Sequence, residues 1–469
     1  MLKQYSYEKN QILKRIFNKP MRLFAIFIIT IAQTVQYVFN PKGAYVGDSF
    51  AYGYGPVRDW DNFSFFGNSL RNWPIVGMNL ILHKPEFQVL AQSVLSVFAW
   101  SFLIIVLSTT IKAKYSSIVV ILISCLAISP KILSWNSVIL AESYSISLIV
   151  ILFSIQLKLM KSETKFGKLY FVLTFYLWIS LHPRNFYFAI LFIVVFIVLR
   201  FKTFWNLLIS NKLVTIILCV LIIHVFIVSQ NQGNQPFGEN ITYNQVSAFY
   251  AFSNHPSSSQ VKDELLEVPE MKCIAASTID DIFELVRFAS RNCQTSLSWI
   301  DSNFKPWYVQ FQAKNPKFAL TLVNYGLVAS NSPASLYAPH ISILPIPIDM
   351  LFFGERNFFL GSMDSRSAEI DLGSLKVFAP VYLWTAIFLF ILLLYFSRKN
   401  HSISFCQNSL IKHLMILTAW AFASMISVFL IMPSEHFRLG IQFYCIFLIS
   451  LICSVSTEST KDGARPITF

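Results

Sequence analysis

Charge and glycine are both scarce in this 469-residue chain. Charged residues make up 13% of it, whereas soluble domains carry roughly 25%, so a soluble globular protein is excluded. With only 15 glycines, the chain also lacks the glycine-broken helices that many transporters use. Hydrophobic residues, by contrast, make up 55% of the chain and fall into long uninterrupted runs. The sequence therefore predicts an all-α polytopic membrane protein.

About ten apolar runs approach the roughly 20 residues that a helix needs to cross the hydrocarbon core. The predicted spans lie near residues 21–39, 87–110, 115–130, 137–158, 169–182, 185–200, 212–230, 376–397, 411–432 and 437–456. They divide the chain into an N-terminal transmembrane core over 1–230, an extracytoplasmic domain over 231–375 and C-terminal transmembrane helices over 376–469. The first extracytoplasmic loop covers 40–86, and helix-like patterns predict that the large outer domain is mostly helical.

The loops between the spans differ in charge. With a cytoplasmic N-terminus, the inner segments hold 20 of the 37 lysines and arginines but only four of the 24 acids. Cytoplasmic loops carry an excess of Lys and Arg, so both termini are predicted to be cytoplasmic. The basic residues are spread over short inner loops instead of forming one patch, which disfavours nucleic-acid binding. Residue usage and the absence of a cleavable signal indicate a bacterial inner membrane.

The seven cysteines form no CxxC or Cys/His pattern, so no structural zinc site is expected. Only Cys273 and Cys293 lie in the predicted outer domain. Two thiols in one small domain in an oxidising compartment can form a disulfide. Two free cysteines in the core of that domain are the alternative.

Ionisable groups inside or beside membrane spans are costly, which makes each of them a candidate for function. Four places qualify, and under the predicted topology all of them face the outside. They are Asp48 in GDSFAYGYG, Glu142 in LAESYSISL, His182 and Arg184 in HPRNFYF, and Glu435, His436 and Arg438 in SEHFRLG.

Each of these groups also has a structural interpretation. Asp48 could cap an interfacial helix, and Glu142 could pair with an arginine of a neighbouring helix. Arg184 and Arg438 could be interface anchors whose side chains extend to the headgroups, with His182 and His436 as structural histidines. Their common placement on the outer face favours function.

A carboxylate at this boundary can act as a general base on an acceptor hydroxyl. Arginines bind phosphate bidentately and can stabilise a leaving phosphate. Nucleotide-activated donors are not supplied to the outer face of a cell membrane, so a donor there is best carried by a lipid. The residue types thus indicate transfer from a lipid-borne phosphate.

The order of these motifs resembles that of the GT-C-type integral membrane glycosyltransferases, which take sugars from polyprenyl-phosphate carriers, including those that modify O-antigens and other surface glycans. The acid in GDSFAYGYG follows the first span, and GNSLRNWPIVGMNLIL, which contains Arg71, leads to the second. LAESYSISL, HPRNFYF and KNPKFALTLVNYG follow in order. The chain departs from better-known members in having Ser49 after the acid instead of a second acid.

The resemblance implies a role for each candidate residue. Asp48 would be the catalytic base, and Arg184 and Arg438 would hold the donor phosphate with help from His182 and His436. Glu142 would steady a loop or contact the acceptor, which would be a glycan, a glycolipid or a protein. The supporting or acceptor-binding group further includes Arg58, Asp59, Asp61, Arg71 and Glu435. Asp59-Trp60-Asp61 has the DxD form that some glycosyltransferases use for metal, so Mg²⁺ or Mn²⁺ is an optional cofactor and none is obligatory.

Two other classes of function stay open. A polysaccharide polymerase or ligase of the O-antigen type would bind a lipid diphosphate through arginines of the large outer loop, where Arg287, Arg291, Arg356 and Arg366 are available. Such an enzyme has less use for an acid directly after the first span. A transporter or flippase would place its polar groups near the midplane, often in inverted repeats, and no repeat is visible here.

Overall fold

A computed structural model of the chain describes residues 2–39, 84–110, 113–137, 141–161, 164–181, 185–195, 259–277, 282–320, 409–431 and 436–456, with a few isolated residues between these ranges. These ranges are almost entirely helical and contain no strand. The all-α prediction is therefore confirmed for this part of the chain.

Helices of the described residues form two packed regions. In the first region they are α1 (Leu2–Phe39), α2 (Pro85–Thr110), α3 (Ala113–Ala127), α4 (Pro130–Trp135), α5 (Ala141–Lys161), α6 (Lys165–Leu181) and α7 (Asn185–Val195). In the second region are α8 (Ser259–Glu267), α9 (Lys272–Ala275), α10 (Ile282–Asn292), α11 (Gln294–Trp299) and α12 (Lys305–Lys314). The last two helices, α13 (Ser409–Ile431) and α14 (His436–Ser456), return to the first region.

Three of the described helices are long and apolar enough to cross a membrane. They comprise Pro20–Phe39 of α1, Pro85–Thr110 of α2 and Ala141–Leu159 of α5. Shorter apolar helical stretches cover Ser116–Ala127, Asn185–Val195 and Leu414–Val428. Apolar helices of this length associate the chain with a membrane, because their backbone polar groups are satisfied internally and their side chains suit lipid.

Helix α5 lies at the centre of the first region. It packs against α2, α6 and α14, while α1 packs against α2 and α3, and α13 packs against α14. In the apolar stretch of α5, 83% of the residues are buried, compared with 22% in the apolar stretch of α1. Aromatic rings of Trp178, Phe188, Trp420 and Phe443 meet edge to face beside it. The central position of α5 explains why its polar residues need partners inside the protein.

The outer helices expose large apolar side chains. Leu23, Phe27 and Ile31 follow one side of α1, and Phe87, Val94 and Phe98 lie on the surface of α2. Soluble proteins rarely expose contiguous apolar surface of this kind. A helix with an apolar outward face and a packed inward face is expected where lipid surrounds the bundle.

The second region, residues 259–320, has a small core of its own. Its buried side chains include Leu265, Met271, Ala289 and Phe311. A run of neighbouring rings from Trp299 through Trp307 to Phe318 joins α11 and α12. Burial raises the pKa of the Tyr308 hydroxyl in this core well above its ordinary value, so the group stays protonated.

The helix boundaries depart from the predicted spans in a few places. The span predicted over 137–158 begins at Ala141, after a turn at Asn136 and Ser137. Glu142 therefore lies in the first helical turn rather than further inside the span. The basic N-terminal segment is part of α1, which begins at Leu2 and contains Pro20. The spans predicted over 212–230 and 376–397 lie outside the described ranges apart from isolated residues.

Candidate functional site

The first two turns of α5 carry an unusual density of buried polar side chains. Glu142 is only 6% exposed, and Ser143, Ser145 and Ser147 are buried as well. A carboxylate in the first turn of a helix is favoured by the helix dipole. Because buried polar groups need partners, the neighbouring helices must supply donors and acceptors at this level.

Helices α1 and α2 supply one set of partners, which we call the Gln33 network: Gln33, Ser96, Asn136 and Ser143. Gln33 donates to the Ser96 hydroxyl at 3.1 Å, and its carbonyl oxygen accepts from Asn136 Nδ2 at 2.9 Å. Ser143 donates to Asn136 Oδ1 at 2.7 Å. The network ties the C-terminal half of α1 to the turn that precedes α5.

A parallel bond lies one turn further along α1. Gln36 Nε2 donates to the Ser137 hydroxyl at 2.9 Å, and both residues are buried. The end of α1 is therefore attached twice to the segment immediately before Glu142. Asp48 comes nine positions after Phe39, the last residue of α1, in the sequence.

Helices α6, α7 and α14 supply a second set, the Gln442 network: Ser145, Trp178, Asn185 and Gln442. The side-chain carbonyl oxygen of Gln442 accepts from Trp178 Nε1 at 3.0 Å and from the Ser145 hydroxyl. Gln442 Nε2 donates to Asn185 Oδ1 at 3.0 Å. Asn185 Nδ2 in turn donates to Ser145 at 3.0 Å and to the Trp178 carbonyl at 2.7 Å.

The Gln442 network brings together the three segments that carry the predicted phosphate-binding and supporting residues. Ser145 lies one turn after Glu142 on the same face of α5, and Gln442 lies one turn after Arg438 on α14. Asn185 directly follows Arg184 in sequence. The starts of α5, α7 and α14 therefore meet at one end of the bundle, which we call the polar end. The end of α1 lies at this end too, through the Gln33 network.

The second region contacts the same end. Gln312 Nε2 of α12 donates to the carbonyl oxygen of Leu430 at 2.9 Å, and Leu430 is the second-last residue of α13. Residues 432–435 connect α13 to α14 in the sequence and lead to His436 and Arg438. The predicted outer domain thus contributes at least one helix beside the polar end.

The candidate residues differ in how far the structure describes them. Glu142 is described in full, and His436 and Arg438 lie in the first turn of α14. Arg287 and Arg291 lie on the exposed side of α10. The following candidates lie outside the described residues: Asp48, Arg58, Asp59, Asp61, Arg71, His182, Arg184, Arg356, Arg366 and Glu435.

A disulfide joins Cys273 and Cys293, the pair proposed from the sequence, with their Cα atoms 5.7 Å apart. It connects α9 to the residue between α10 and α11. Cys445 and Cys453 of α14 are buried. Among the described residues, no group of three His, Cys, Asp or Glu side chains could hold a metal ion.

The amides at the polar end were missed by sequence reasoning, which considered only ionisable groups. Gln33 and Gln36 stand in the apolar run FAIFIITIAQTVQYVF, and Gln442 stands in GIQFYCIFL. An amide in a membrane span is also costly unless it finds a partner on another helix. That cost was a usable signal for helix contacts, although it does not indicate which helix provides the partner.

Comparison of the chain with protein-family models, curated proteins and solved structures finds no match. The likeness to GT-C-type enzymes therefore depends on the motifs alone.

Proposed function

We propose that this protein is an integral membrane glycosyltransferase that moves a sugar from a polyprenyl-phosphate donor to a glycan, lipid or protein acceptor. The observation that supports it best is the Gln442 network, which holds the segments of Glu142, Arg184 and Arg438 together at the polar end. An acid and two guanidinium groups at one membrane boundary suit a lipid-borne phosphate leaving group.

In the proposed architecture ten helices cross the membrane: α1, α2, α3, α5, α6, α7, α13, α14 and two more near 212–230 and 376–397. The polar end faces outward, and both termini are cytoplasmic. The excess of Lys and Arg in the opposite loops supports this orientation. The membrane would be the bacterial inner membrane, with residues 231–375 on its outer side.

The reaction is a displacement with inversion at the anomeric carbon of the donor sugar. The Asp48 carboxylate takes the proton of the acceptor hydroxyl, whose oxygen then bonds to the anomeric carbon. The bond from that carbon to the phosphate oxygen breaks, and the electron pair leaves with polyprenyl phosphate. Arg184 and Arg438 stabilise the phosphate, assisted by His182 and His436.

The remaining candidates support this centre. Glu142 is buried beside the Gln33 network, where it steadies the start of α5 or reaches the acceptor. Further support is assigned to Arg58, Asp59, Asp61, Arg71 and Glu435. No cofactor is obligatory in this scheme, and Mg²⁺ or Mn²⁺ would be optional beside the Asp59–Asp61 pair.

The test is the Asp48→Asn variant, assayed in proteoliposomes with a panel of polyprenyl-phosphate sugars and membrane glycolipids. Loss of a positioned general base lowers rates by about 10²- to 10⁴-fold, so transfer should fall by that factor while expression and membrane insertion stay normal. Asp263→Asn, an exposed acid of α8, is the matched control and should transfer normally. Full activity of Asp48→Asn would remove the proposed base.

A polymerase or ligase acting on a lipid diphosphate is the second candidate, and one observation favours it. Arg287 and Arg291 lie one turn apart on the exposed side of α10, a spacing that suits two phosphate groups. Under this alternative, Arg287→Ala with Arg291→Ala would abolish activity and Asp48→Asn would not. The opposite pattern is expected for the glycosyltransferase.

A further inference from the structure

The segment that comprises α12 and the residues after it, up to 323, differs in charge from the rest of the second region. Residues 305–323 contain three lysines and no acid. Residues 259–304, which form the remainder, contain eight acids and four lysines or arginines. The second region therefore has a basic edge and an acidic body.

The basic edge also exposes apolar side chains. Val309 is 64% exposed and Leu320 is 52% exposed, and Ala313 and Pro316 between them are exposed as well. The opposite side of the same segment is buried in the core through Tyr308, Phe311 and Phe318. We call the exposed set Val309, Ala313, Pro316 and Leu320 the apolar ledge. Because the face with Tyr308, Phe311 and Phe318 packs into the core, the ledge faces away from the second region.

Two contacts determine where this edge lies along the length of the helix bundle. Gln312, between Val309 and Ala313 in the same helix, bonds to the Leu430 carbonyl just beyond the apolar stretch Leu414–Val428 of α13. Val323, three residues after Leu320, is buried in the core of the bundle. The ledge therefore lies between two attached positions. One is Gln312, which bonds to the last turn of α13, and the other is Val323, which packs among the apolar helices.

A headgroup layer suits a surface with these properties. Apolar side chains beside lysines bind bilayers by inserting the apolar groups at the acyl boundary while the ammonium groups meet lipid phosphates. The exposed side chains of Lys314 and Lys317 border the ledge. The acidic body would be repelled by anionic lipid, so the charge pattern favours one orientation, with residues 305–323 toward the bilayer.

We infer that the apolar ledge of residues 309–320 lies in the headgroup layer of the outer leaflet and binds anionic phospholipid, fixing the second region over the polar end. This inference depends on the membrane crossing of α13 in the proposed function. The lipid contact is independent of whether sugar transfer is the activity.

The experiment places an environment-sensitive fluorescent amino acid at one position at a time in the full chain. The protein is reconstituted in nanodiscs of phosphatidylcholine and phosphatidylglycerol, with or without brominated acyl chains. Val309 and Leu320 test the ledge. Phe98, which is 57% exposed on α2, is the lipid control, and Thr295, exposed on α11, is the water control.

We expect emission at Val309 and Leu320 to shift to shorter wavelength and to lose intensity with brominated lipid, as at Phe98, while Thr295 shows neither change. Lys314→Glu should weaken the quenching at Leu320, and Lys272→Glu in the acidic body should leave it unchanged. Emission at both ledge positions that matches Thr295 would overturn the inference. A shift without quenching would also overturn it, because protein would then cover the ledge.

The controls separate this inference from the proposed function. If Phe98 is not quenched, α2 does not face lipid and the proposed membrane architecture fails together with the ledge. If Phe98 is quenched and the ledge is not, only the ledge inference fails. Quenching of the ledge in a protein whose Asp48→Asn variant keeps its activity would support the ledge and reject the proposed base.

Discussion

At the scale of single residues, Gln442 accounts for most of the organisation of the polar end. One side-chain amide joins α5, α6 and α7 to α14, because its oxygen accepts two hydrogen bonds and its nitrogen donates a third. Its partners Ser145, Trp178 and Asn185 are all buried. A buried polar network that is fully satisfied specifies one arrangement of helices, whereas an apolar contact allows several.

Gln442→Leu is therefore expected to destabilise the bundle. The substitution leaves the Trp178 N–H and the Asn185 carbonyl without these partners inside a packed region. The cost of such buried groups is about 1–3 kcal/mol in proteins generally, and hydrogen bonds between membrane helices contribute about 1–2 kcal/mol in model peptides. Thermal unfolding in detergent should show a lowered Tm.

Gln310→Leu is the matched control for this variant, because Gln310 is exposed on α12. It should leave the Tm nearly unchanged. Equal melting of the Gln442→Leu and wild-type proteins would mean that the network adds no stability. In that case the meeting of α5, α7 and α14 would depend on apolar packing alone.

At the scale of helices, the parts of the fold that depend on local sequence could be predicted, and a turn that depends on distant residues could not. The apolar runs fixed the positions of α2, α13 and α14 to within a few residues, since length and hydropathy are local properties. The start of α5 was placed too early, because Val138 and Ile139 extend the apolar run of the sequence. Asn136 and Ser137 instead form a turn that bonds to α1. That turn depends on residues a hundred positions away.

Only part of the polar end could be recognised from the sequence, because the rest depends on contacts between distant residues. Glu142 was recognised because a carboxylate stands out in an apolar run. Gln33, Asn185 and Gln442 were not, since an amide carries no charge and its partner lies on a distant helix. The pairing of Asn185 with Gln442 spans 257 positions, and no local pattern encodes it.

The Cys273–Cys293 disulfide gives a prediction at this scale. The two residues are 20 positions apart, and closing a loop of that length stabilises a fold by about 3 kcal/mol in the chain-entropy model. Cys273→Ser with Cys293→Ser should therefore make residues 259–320 more susceptible to limited proteolysis, with cleavage appearing between α8 and α12 on gels.

Cys125→Ser serves as the control for the disulfide variant, because Cys125 is an unpaired, exposed cysteine of α3. Its proteolysis pattern should match that of the wild-type protein. Mass mapping without reductant should find Cys273 and Cys293 protected from alkylation. Alkylation of both would show that the bond does not form in the cell.

At the scale of the whole molecule, two independent features support the proposed orientation. The Lys and Arg excess lies in the predicted inner loops, and the predicted topology puts the polar end on the other side, facing outward. The disulfide lies in the second region, which contacts the polar end through Gln312 and Leu430. Disulfides persist in oxidising compartments and are rare in the cytosol, so the disulfide agrees with the proposed outer position of this region.

The orientation is tested by thiol labelling in intact cells. Asn62→Cys places a thiol in the first predicted outer loop, and Ser162→Cys places one between α5 and α6, at the end of α5 opposite Glu142. A membrane-impermeant maleimide should label Asn62→Cys and miss Ser162→Cys until the cells are opened. Because α5 runs between the two ends of the bundle, labelling of Ser162→Cys alone would turn Glu142, Arg184 and Arg438 toward the cytoplasm. A lipid-borne donor would then lose its advantage over a nucleotide sugar, and the assignment of the polar end to polyprenyl-phosphate chemistry would fall with it.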